Sequence, residues 1–437
     1  MALETIRDAG ILNGNTEDNQ LDPVIATLGQ GRYVSVWEDR SYDGGARLRG
    51  RLFDENNDPL GEEFFVDDLG NGNKWQRDPV VEATGDGGFT VGWRLGNQHG
   101  EQGVQSRRFD GDGQAVSDVQ NLAGSGDPTD IETLDGSGQV VTWHQNNDDG
   151  NLDVYARILG ADGTPQGEAF VVNDVTADAQ HDAKVASLSD GGFAVAWASN
   201  AGVHDTNGRG VHVRRFDAEG NAVAQEQLAH EYTRGGQKSP DIVGLDGGRF
   251  AVTWQDSTNR GSDGDSYGIR GRVFDGDGHA LGETFDVNTT TSGHQSNPVT
   301  VEMPGGGFAV AWRDRIDTND GNKHVLRGQL FDAGGSPVGE EVEIAGPSDK
   351  GITQYDLASW DDGELVAAFQ DKLDSGRDTD KHAVRAKRFD IDGGEWNRPD
   401  GGGQGEDTLT GGDGTGSGES GDGSGAGDGT AGGDAGD

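Results

Sequence analysis

The chain alternates short hydrophobic runs with glycine- and aspartate-rich segments, and the runs recur at a regular interval. The clearest run is a short strand that closes on an aromatic residue, as residues 33–37 do at Trp37. Its later copies follow at a nearly constant spacing and close at Trp93, Trp143, Trp197, Trp254, Trp312 and Phe369. A fixed period of this kind indicates one supersecondary unit copied along the chain.

Each unit contains several strands and no helical pattern. In the fifth copy we expect strand a at residues 240–243, strand b at 250–254, strand c at 269–275 and strand d at 285–288. Glycine-rich turns separate them, which is typical of antiparallel hairpins. Seven such sheets arranged radially predict an all-β fold, a seven-bladed β-propeller over residues 1–395.

The two ends of the repeat array predict how the ring closes. The last unit stops after Phe389 and Asp390 without a fourth strand. Near the start of the chain, Asn13 precedes Gln20 at the same spacing as Asn288 precedes Gln295. We therefore expect the N-terminal segment to supply strand d of the last blade, which closes the ring and leaves no open sheet edge there.

Residues that recur in most units are expected to build the propeller. A basic or amide residue stands two positions before the end of strand c: Arg51, Arg107, Arg157, Arg214, Arg272, Gln329 and Lys387. We expect it to bond an acidic group or carbonyl on the adjacent blade, because an unpaired buried charge is costly. A glutamine precedes strand a: Gln20, Gln76, Gln180, Gln237, Gln295 and Gln354. We favour a role for this glutamine in capping strand a over a role in a ligand-binding ring. For the tryptophans we favour a core role over stacking on sugars.

One face carries the long, variable loops, namely the d–a and b–c connections, and we nominate it as the functional face. Its carboxylates Asp39, Asp256, Asp314 and Asp371 could include an acid–base pair, as glycoside cleavage needs two carboxyls at a defined separation. Each follows the strand b aromatic by two positions, so a turn role is favoured. The oxygen-rich loop around Asp263 and Asp265 suits Ca²⁺.

Composition narrows the possible partners. Acidic residues outnumber basic ones 78 to 34, for a formal charge of −44, which argues against nucleic acid and favours multivalent cations. There are no cysteines, so thiolate chemistry and disulfides are absent. Residues 1–25 show no cleavable signal peptide, and no apolar run is long enough for a membrane span.

Residues 396–437 form a Gly/Asp-rich segment that is predicted to be a flexible tail. Residues 402–410 fit the nonapeptide G-G-x-G-x-D-x-U-x, and the next copy is degenerate. Units such as residues 190–197 resemble the propeller-type repeats of large secreted bacterial proteins, which often carry hemolysin-type (RTX) calcium repeats. That resemblance implies type I secretion to the extracellular space, and it makes Gly402, Gly403, Gly405 and Asp407 calcium-site positions.

The sequence therefore predicts a secreted, acidic, monomeric propeller that serves as a binding or adhesion module associated with Ca²⁺. A polysaccharide or a cell-surface component is the expected partner. Two alternatives stay open. One is a carbohydrate-active enzyme, a glycoside hydrolase or lyase, that uses carboxylates of the loop face. The other is a structural extracellular scaffold.

Overall fold

A computed structural model of the chain shows the architecture. It describes residues 3–14, 19–41, 45–67, 74–97, 102–134, 138–200, 209–233, 235–257, 267–318, 321–348, 351–360, 362–372 and 382–391. The predicted tail from residue 396 onward, with Gly402, Gly403, Gly405 and Asp407, lies outside these ranges. So does the loop that contains Asp263 and Asp265. Within the described ranges, no helix has the length and apolar character needed to cross a membrane.

The described residues form seven four-stranded antiparallel sheets, which we call blades. Strand β1 (Leu3–Ile11) opens the chain. Blade 1 contains β2 (Gln20–Gly29), β3 (Arg32–Asp39), β4 (Arg47–Phe53) and β5 (Phe64–Phe65). Blade 2 contains β6 (Lys74–Ala83), β7 (Phe89–Asn97), β8 (Gln102–Phe109) and β9 (Gln120–Ala123). Blade 3 contains β10 (Asp127–Thr133), β11 (Gln139–Asn146), β12 (Leu152–Leu159) and β13 (Pro165–Val171).

The remaining blades follow the same order. Blade 4 contains β14 (Gln180–Ser187), β15 (Phe193–Ser199), β16 (Gly210–Phe216) and β17 (Gln227–Leu228). Blade 5 contains β18 (Gln237–Leu245), a 3-10 turn (Asp246–Gly248), β19 (Arg249–Asp256), β20 (Gly268–Phe274) and β21 (Phe285–Asp286). Blade 6 contains β22 (His294–Met303), β23 (Gly307–Thr318), β24 (Gly321–Phe331) and β25 (Pro337–Ser348). Blade 7 contains β26 (Tyr355–Ser359), β27 (Leu365–Lys372), β28 (His382–Ile391) and, from the start of the chain, β1.

The blades form a closed ring, which confirms the predicted seven-bladed propeller. Within each blade the four strands pair in the order a, b, c, d. Each strand a contacts strand a of the next blade, and the last, β26, contacts the first, β2. Strand a is therefore the innermost strand of every blade, and the seven of them surround a central channel.

The predicted closing strand is confirmed. Strand β1 pairs antiparallel with β28 on the outside of blade 7. Beyond it, Leu12 N–H donates to the Val384 carbonyl at 2.9 Å, and Asn13 Oδ1 accepts from Val384 N–H at 3.0 Å. In blade 5, Val287 and Asn288 make the same two bonds to Ile269. Leu12 is 1% exposed and packs beside Trp37 of blade 1, so the closing segment joins the core between the last and first blades.

Strand b is buried on both faces, because each blade stacks against two neighbours. The closing tryptophans are completely buried, which confirms their role as core residues: Trp37, Trp93, Trp143, Trp197, Trp254 and Trp312. In five blades the first aromatic of strand b stacks on the last aromatic of strand c, with ring centroids 5.0 to 5.2 Å apart. Cross-strand aromatic pairs of this kind stabilise a sheet beyond their buried area.

Small residues in strand c serve a different contact from the one expected. Their place in the sequence, three positions before the end of strand c, predicts that they let a tryptophan of the neighbouring blade approach. Instead, a Cβ on Gly50 would lie 2.4 Å from Phe64, and one on Gly271 would lie 2.5 Å from Phe285. Each glycine therefore makes room for the strand d aromatic of its own blade.

Candidate functional site

The recurrent basic residue of strand c joins neighbouring blades, as predicted. Arg107 donates from Nε to the Ser117 carbonyl of its own blade at 3.1 Å and from Nη1 to the Val66 carbonyl of blade 1 at 3.2 Å. Arg157 bonds the Leu122 carbonyl of blade 2 in the same way, and Lys387 bonds the Ile344 carbonyl of blade 6. These side chains hold one blade to the next, so their hydrogen-bond donors are already used in that contact.

The recurrent glutamine has a structural role, and its partners include backbone groups, as expected for a cap on strand a. Gln180 and Gln295 donate from Nε2 to the Ala177 and Ser292 carbonyls at 3.1 and 3.2 Å. Gln20 is completely buried, and its Oε1 accepts from the indole N–H of Trp37 at 3.0 Å. Its Nε2 donates to Asp39 Oδ1 at 3.1 Å. Gln354 does not belong to the series, because Ile352 stands at the equivalent position when the units are aligned on the strand b aromatic.

The carboxylates that follow strand b belong to this buried network. Asp39 accepts from Arg49 Nε at 2.7 Å in addition to Gln20. Asp314 accepts from Arg327 Nε at 2.9 Å and from Gln295 Nε2 at 3.0 Å. Asp256 stands at the same position, and it lies 3.4 Å from Arg270. These buried groups are already bonded within their blades, which makes them poor candidates for an acid–base pair. Asp39 Oδ1 also accepts from the Ser41 N–H at 2.9 Å, so Asp39 has the predicted turn role as well. The side chain of Asp371 lies outside the described residues.

The acidic turns between strands c and d contain one cluster with metal-ligand chemistry. Asp275, Asp277 and His279 place ligand atoms within 4.8 Å of one another. However, Asp275 Oδ1 accepts from the backbone N–H groups of Asp277 and His279 at 3.0 and 2.7 Å. Asp110 and Asp332 make the same pair of turn bonds in other blades. The cluster is therefore explained as the repeated turn.

The central channel is a concave feature lined by the innermost strands of the blades. At the long-loop end it holds a cavity of about 350 Å³, lined by strand a of every blade. At the opposite end it continues as a cavity of about 280 Å³, and the two share lining residues such as Glu82 and Glu132. Clefts and cavities of a few hundred Å³ are common places for ligand binding.

A β-bulge shapes the long-loop mouth of the channel. In five blades the pairing of strands a and b slips just after the recurrent glutamine. At each slip one polar residue has a left-handed backbone, with φ between 48° and 56°: Asp22, Asp78, Asp182, Ser239 and Asn297. Asp, Asn and Ser tolerate this conformation better than branched residues do. Bulges of this kind re-aim side chains next to functional sites.

Inside the channel, carboxylates of strand a bridge to the next blade. Asp130 Oδ2 accepts from Val185 N–H at 2.9 Å, and Asp356 Oδ2 accepts from Ile25 N–H at 3.0 Å. Asp241 accepts from Thr300 N–H in the same manner. These three aspartates occupy one shared position relative to the aromatic that closes strand b, in blades 3, 7 and 5. One oxygen of each is thus used to hold blades together.

Lys184 stands at the same position in blade 4 and is the one cation among the described residues that line the channel. Its Nζ lies 3.4 Å from Asp130 Oδ1. The Asp130, Asp241 and Asp356 carboxylates together raise the pKa of Lys184 above its usual range, although burial opposes this. The lysine therefore stays charged and offsets part of the repulsion among the three aspartates.

Burial is the main cause of raised carboxyl pKa values in the channel. It raises the pKa of Asp241 to about 7 and that of Glu132 to about 7. Burial, reinforced by the Glu132 carboxylate, also raises the pKa of Glu82. A carboxyl group that titrates near neutral pH can be a proton donor to a bound ligand.

Similar structures are known, although no protein-family model matches the sequence and no curated protein matches it. A protein of unknown function from Dyadobacter fermentans has a TM-score of 0.50 and 9% identity, and the likeness covers 89% of this chain and 99% of that one. An α-L-arabinanase from Penicillium chrysogenum, complexed with arabinobiose, has a TM-score of 0.50 and 12% identity, and the likeness covers 76% of this chain and 99% of that one. Identities this low show the shared propeller fold alone.

The channel carboxylates were missed in the sequence, although a signal for them was present. The sequence indicates the face with the long loops, but the candidate carboxylates it suggests there are those that follow strand b. Aligning strand a on the strand b aromatic places Asp130, Lys184, Asp241 and Asp356 in one column. Because innermost strands line a propeller channel, that column predicts charged side chains in the channel from four of the seven blades.

The raised carboxyl pKa values predict that the protein is more stable at mildly acidic pH. Asp241 and Glu132 bind protons more tightly when folded, so their contribution to stability is complete below about pH 4 and is lost as the pH rises through about 7. We expect the urea midpoint to be higher at pH 5.5 than at pH 8. The double variant Glu132→Gln, Asp241→Asn should flatten this dependence. An equal or higher wild-type midpoint at pH 8 would contradict the assignment.

Proposed function

We propose that this propeller binds carbohydrate, and that the ligand enters the central channel from the face with the long loops. The observation that carries the proposal is the polar cavity of about 350 Å³ at that mouth, lined by carboxylates from several blades. Carboxylate oxygens are strong acceptors for sugar hydroxyl groups. Asp130 and Asp356 each bond a neighbouring blade with one oxygen. The other oxygen lies 3.4 Å from Lys184 Nζ in Asp130 and accepts from the Leu357 N–H in Asp356, and each retains a further lone pair for a ligand. Glu82 accepts from the backbone N–H of Ala83 in its own strand.

Fold likeness supports the same ligand class. The Penicillium chrysogenum arabinanase, which is complexed with a disaccharide, has the propeller fold at 12% identity. The fold alone assigns no activity, because propellers carry many functions. The proposal for this chain therefore depends on its own channel.

Glycoside hydrolysis is the second candidate, and one observation favours it. Asp241 and Glu132 line the same cavity, and each has a pKa of about 7. Such a group can protonate a leaving oxygen at neutral pH, while an ionised carboxylate nearby serves as base or nucleophile. Reducing-sugar release from a polysaccharide panel tests this candidate. If the wild type releases reducing sugar and Asp241→Asn or Glu132→Gln does not, the result would favour an enzyme over a binding module.

We also propose an extracellular setting and an association with Ca²⁺, in line with the high acidic charge and the resemblance to secreted repeat proteins. A ligand that binds only the native state raises stability by mass action. We expect 5 mM CaCl₂ to raise the melting temperature more than NaCl at equal ionic strength. The magnitude is about 2 to 4 °C for each kcal/mol of binding in a medium-sized domain, and it is smaller in a larger ring. Equal effects of the two salts would remove calcium from the account.

A glycan screen with the full chain tests the main proposal. The screen should include neutral, acidic and amino sugars, because the net acidity of the channel disfavours anionic ligands. We expect saturable binding of neutral or cationic oligosaccharides and weak binding of uronic acid polymers. Absence of binding to every glycan would favour the structural scaffold instead.

A further inference from the structure

Blade 2 departs from the repeat at three positions that lie together. Blades 1, 5 and 6 have an aspartate two positions after the strand b aromatic, paired with an arginine of strand c. In blade 2 these positions hold Leu95 and Gln105. The third position is at the end of strand d, where blade 2 has Ala123. Blades 5 and 7 have Asn288 and Asn13 at that place, each bonded to the backbone of strand c.

These smaller or uncharged side chains leave a cavity, which we call the blade 2 pocket. Its volume is about 400 Å³, within the usual range for small-molecule sites. Leu95, Leu122 and Ala123 supply apolar walls, Gln105 and Asn121 supply polar groups, and Lys74 also contributes. The pocket shares no lining residue with the channel cavities, so it is a separate feature.

Gln105 points to a ligand in this pocket. It is 9% exposed, and its Nε2 donates to Asn121 Oδ1 at 2.7 Å. Its Oε1 is buried and has no hydrogen-bond partner among the described residues. A buried acceptor that makes no hydrogen bond is costly, so such atoms in native proteins usually meet a donor from water or a ligand. A ligand in the blade 2 pocket therefore needs a hydrogen-bond donor next to a small apolar group.

We propose that the blade 2 pocket binds the acetamido group of an N-acetylated amino sugar. The amide N–H donates to Gln105 Oε1, and the methyl group packs against Leu95, Leu122 and Ala123. The sugar hydroxyls face Asn121 and Lys74 at the polar side. This proposal does not depend on carbohydrate binding in the channel, because the two sites share no residue.

Titration of the full chain with N-acetylglucosamine, followed by ligand-observed NMR, tests the proposal. We expect saturable binding, with glucosamine and glucose at least about tenfold weaker because they lack the methyl group and the amide donor. An acetamido group also occurs in N-acetylated peptides, and N-acetylalanine methylamide tests whether the pocket binds that source. Equal binding of this peptide analogue would overturn the assignment to a sugar, as would lack of saturation by N-acetylglucosamine at tens of millimolar.

Substitutions locate the binding. Ala123→Asn fills the pocket with the residue that other blades have, so we expect at least about tenfold weaker binding at an unchanged melting temperature. Ala345→Asn is the matched control, because Ala345 stands at the equivalent position of blade 6. It should leave binding unchanged. Gln105→Met removes the acceptor at similar volume and should weaken binding as much as Ala123→Asn. Full binding in both pocket variants would overturn the proposal, even if channel binding is shown.

Discussion

Removal of residues 1–14 is expected to destabilise the ring by about 5 kcal/mol or more, as it deletes a buried leucine and leaves polar groups unpaired. Leu12 is 1% exposed between blades 7 and 1, and strand β28 loses its pairing with β1. The loss removes the outermost strand of blade 7, which is the strand that ties the start of the chain to its last blade. Urea denaturation of the truncated and intact chains measures the difference.

Point variants separate ring closure from the loss of local contacts. Asn13→Ala and Asn288→Ala each remove one acceptor from a strand c N–H, in blades 7 and 5 respectively. We expect similar losses of about 1 to 3 kcal/mol for these two variants. Truncation should cost far more than Leu12→Ala alone. If the truncated chain unfolds at the same urea concentration as the intact one, the closing role of β1 is wrong.

Lys184→Met is expected to cost about 2 kcal/mol or more at pH 8, because it leaves three channel aspartates without their shared cation. This is below the full cost for a buried pair, since the lysine side chain is 39% exposed and channel water screens its charge. The loss should shrink at pH 5.5. Asp241, whose pKa is about 7, is protonated there and needs no counter-charge.

Matched lysine variants test whether charge is the cause. Lys184→Arg keeps the positive charge and should retain most of the stability at both pH values. Lys238→Met removes a lysine from the same kind of strand in blade 5, outside the channel lining, and should show little pH dependence. Thermal or urea unfolding at the two pH values provides the data. An equal loss at pH 5.5 and pH 8 for Lys184→Met would show that packing, rather than charge, is responsible.

The architecture could be predicted because it depends on a periodic pattern. The aromatics at the end of strand b predicted the number of blades. The missing fourth strand of the last unit predicted the closure through Leu12 and Asn13. Periodicity also separated structural residues, such as Arg107 and Trp37, from candidates for function. It failed where a residue could make room for a neighbour in its own blade or in the next, as Gly50 shows.

The candidate sites were harder to predict because they depend on which strand is innermost and on departures from the repeat. Asp130 and Asp241 are ordinary acidic residues until strand a is known to line a channel. Leu95, Gln105 and Ala123 matter only as differences from the other blades. Their proximity comes from pairing between strands b, c and d, which no spacing along the chain reveals.

The most direct test of the account compares oligosaccharide binding by the wild type and by Glu82→Gln, using a ligand identified in the glycan screen. Glu82 lines the channel, and its change to glutamine keeps the shape while it replaces one carboxyl oxygen with an NH₂ group, which cannot accept a hydrogen bond from a sugar hydroxyl. Asp118→Asn, at an exposed carboxylate outside the channel lining, is the matched control. We predict at least about tenfold weaker binding for Glu82→Gln, which corresponds to about 1.4 kcal/mol, and no change for the control. Unchanged binding by Glu82→Gln would contradict a ligand site in the channel.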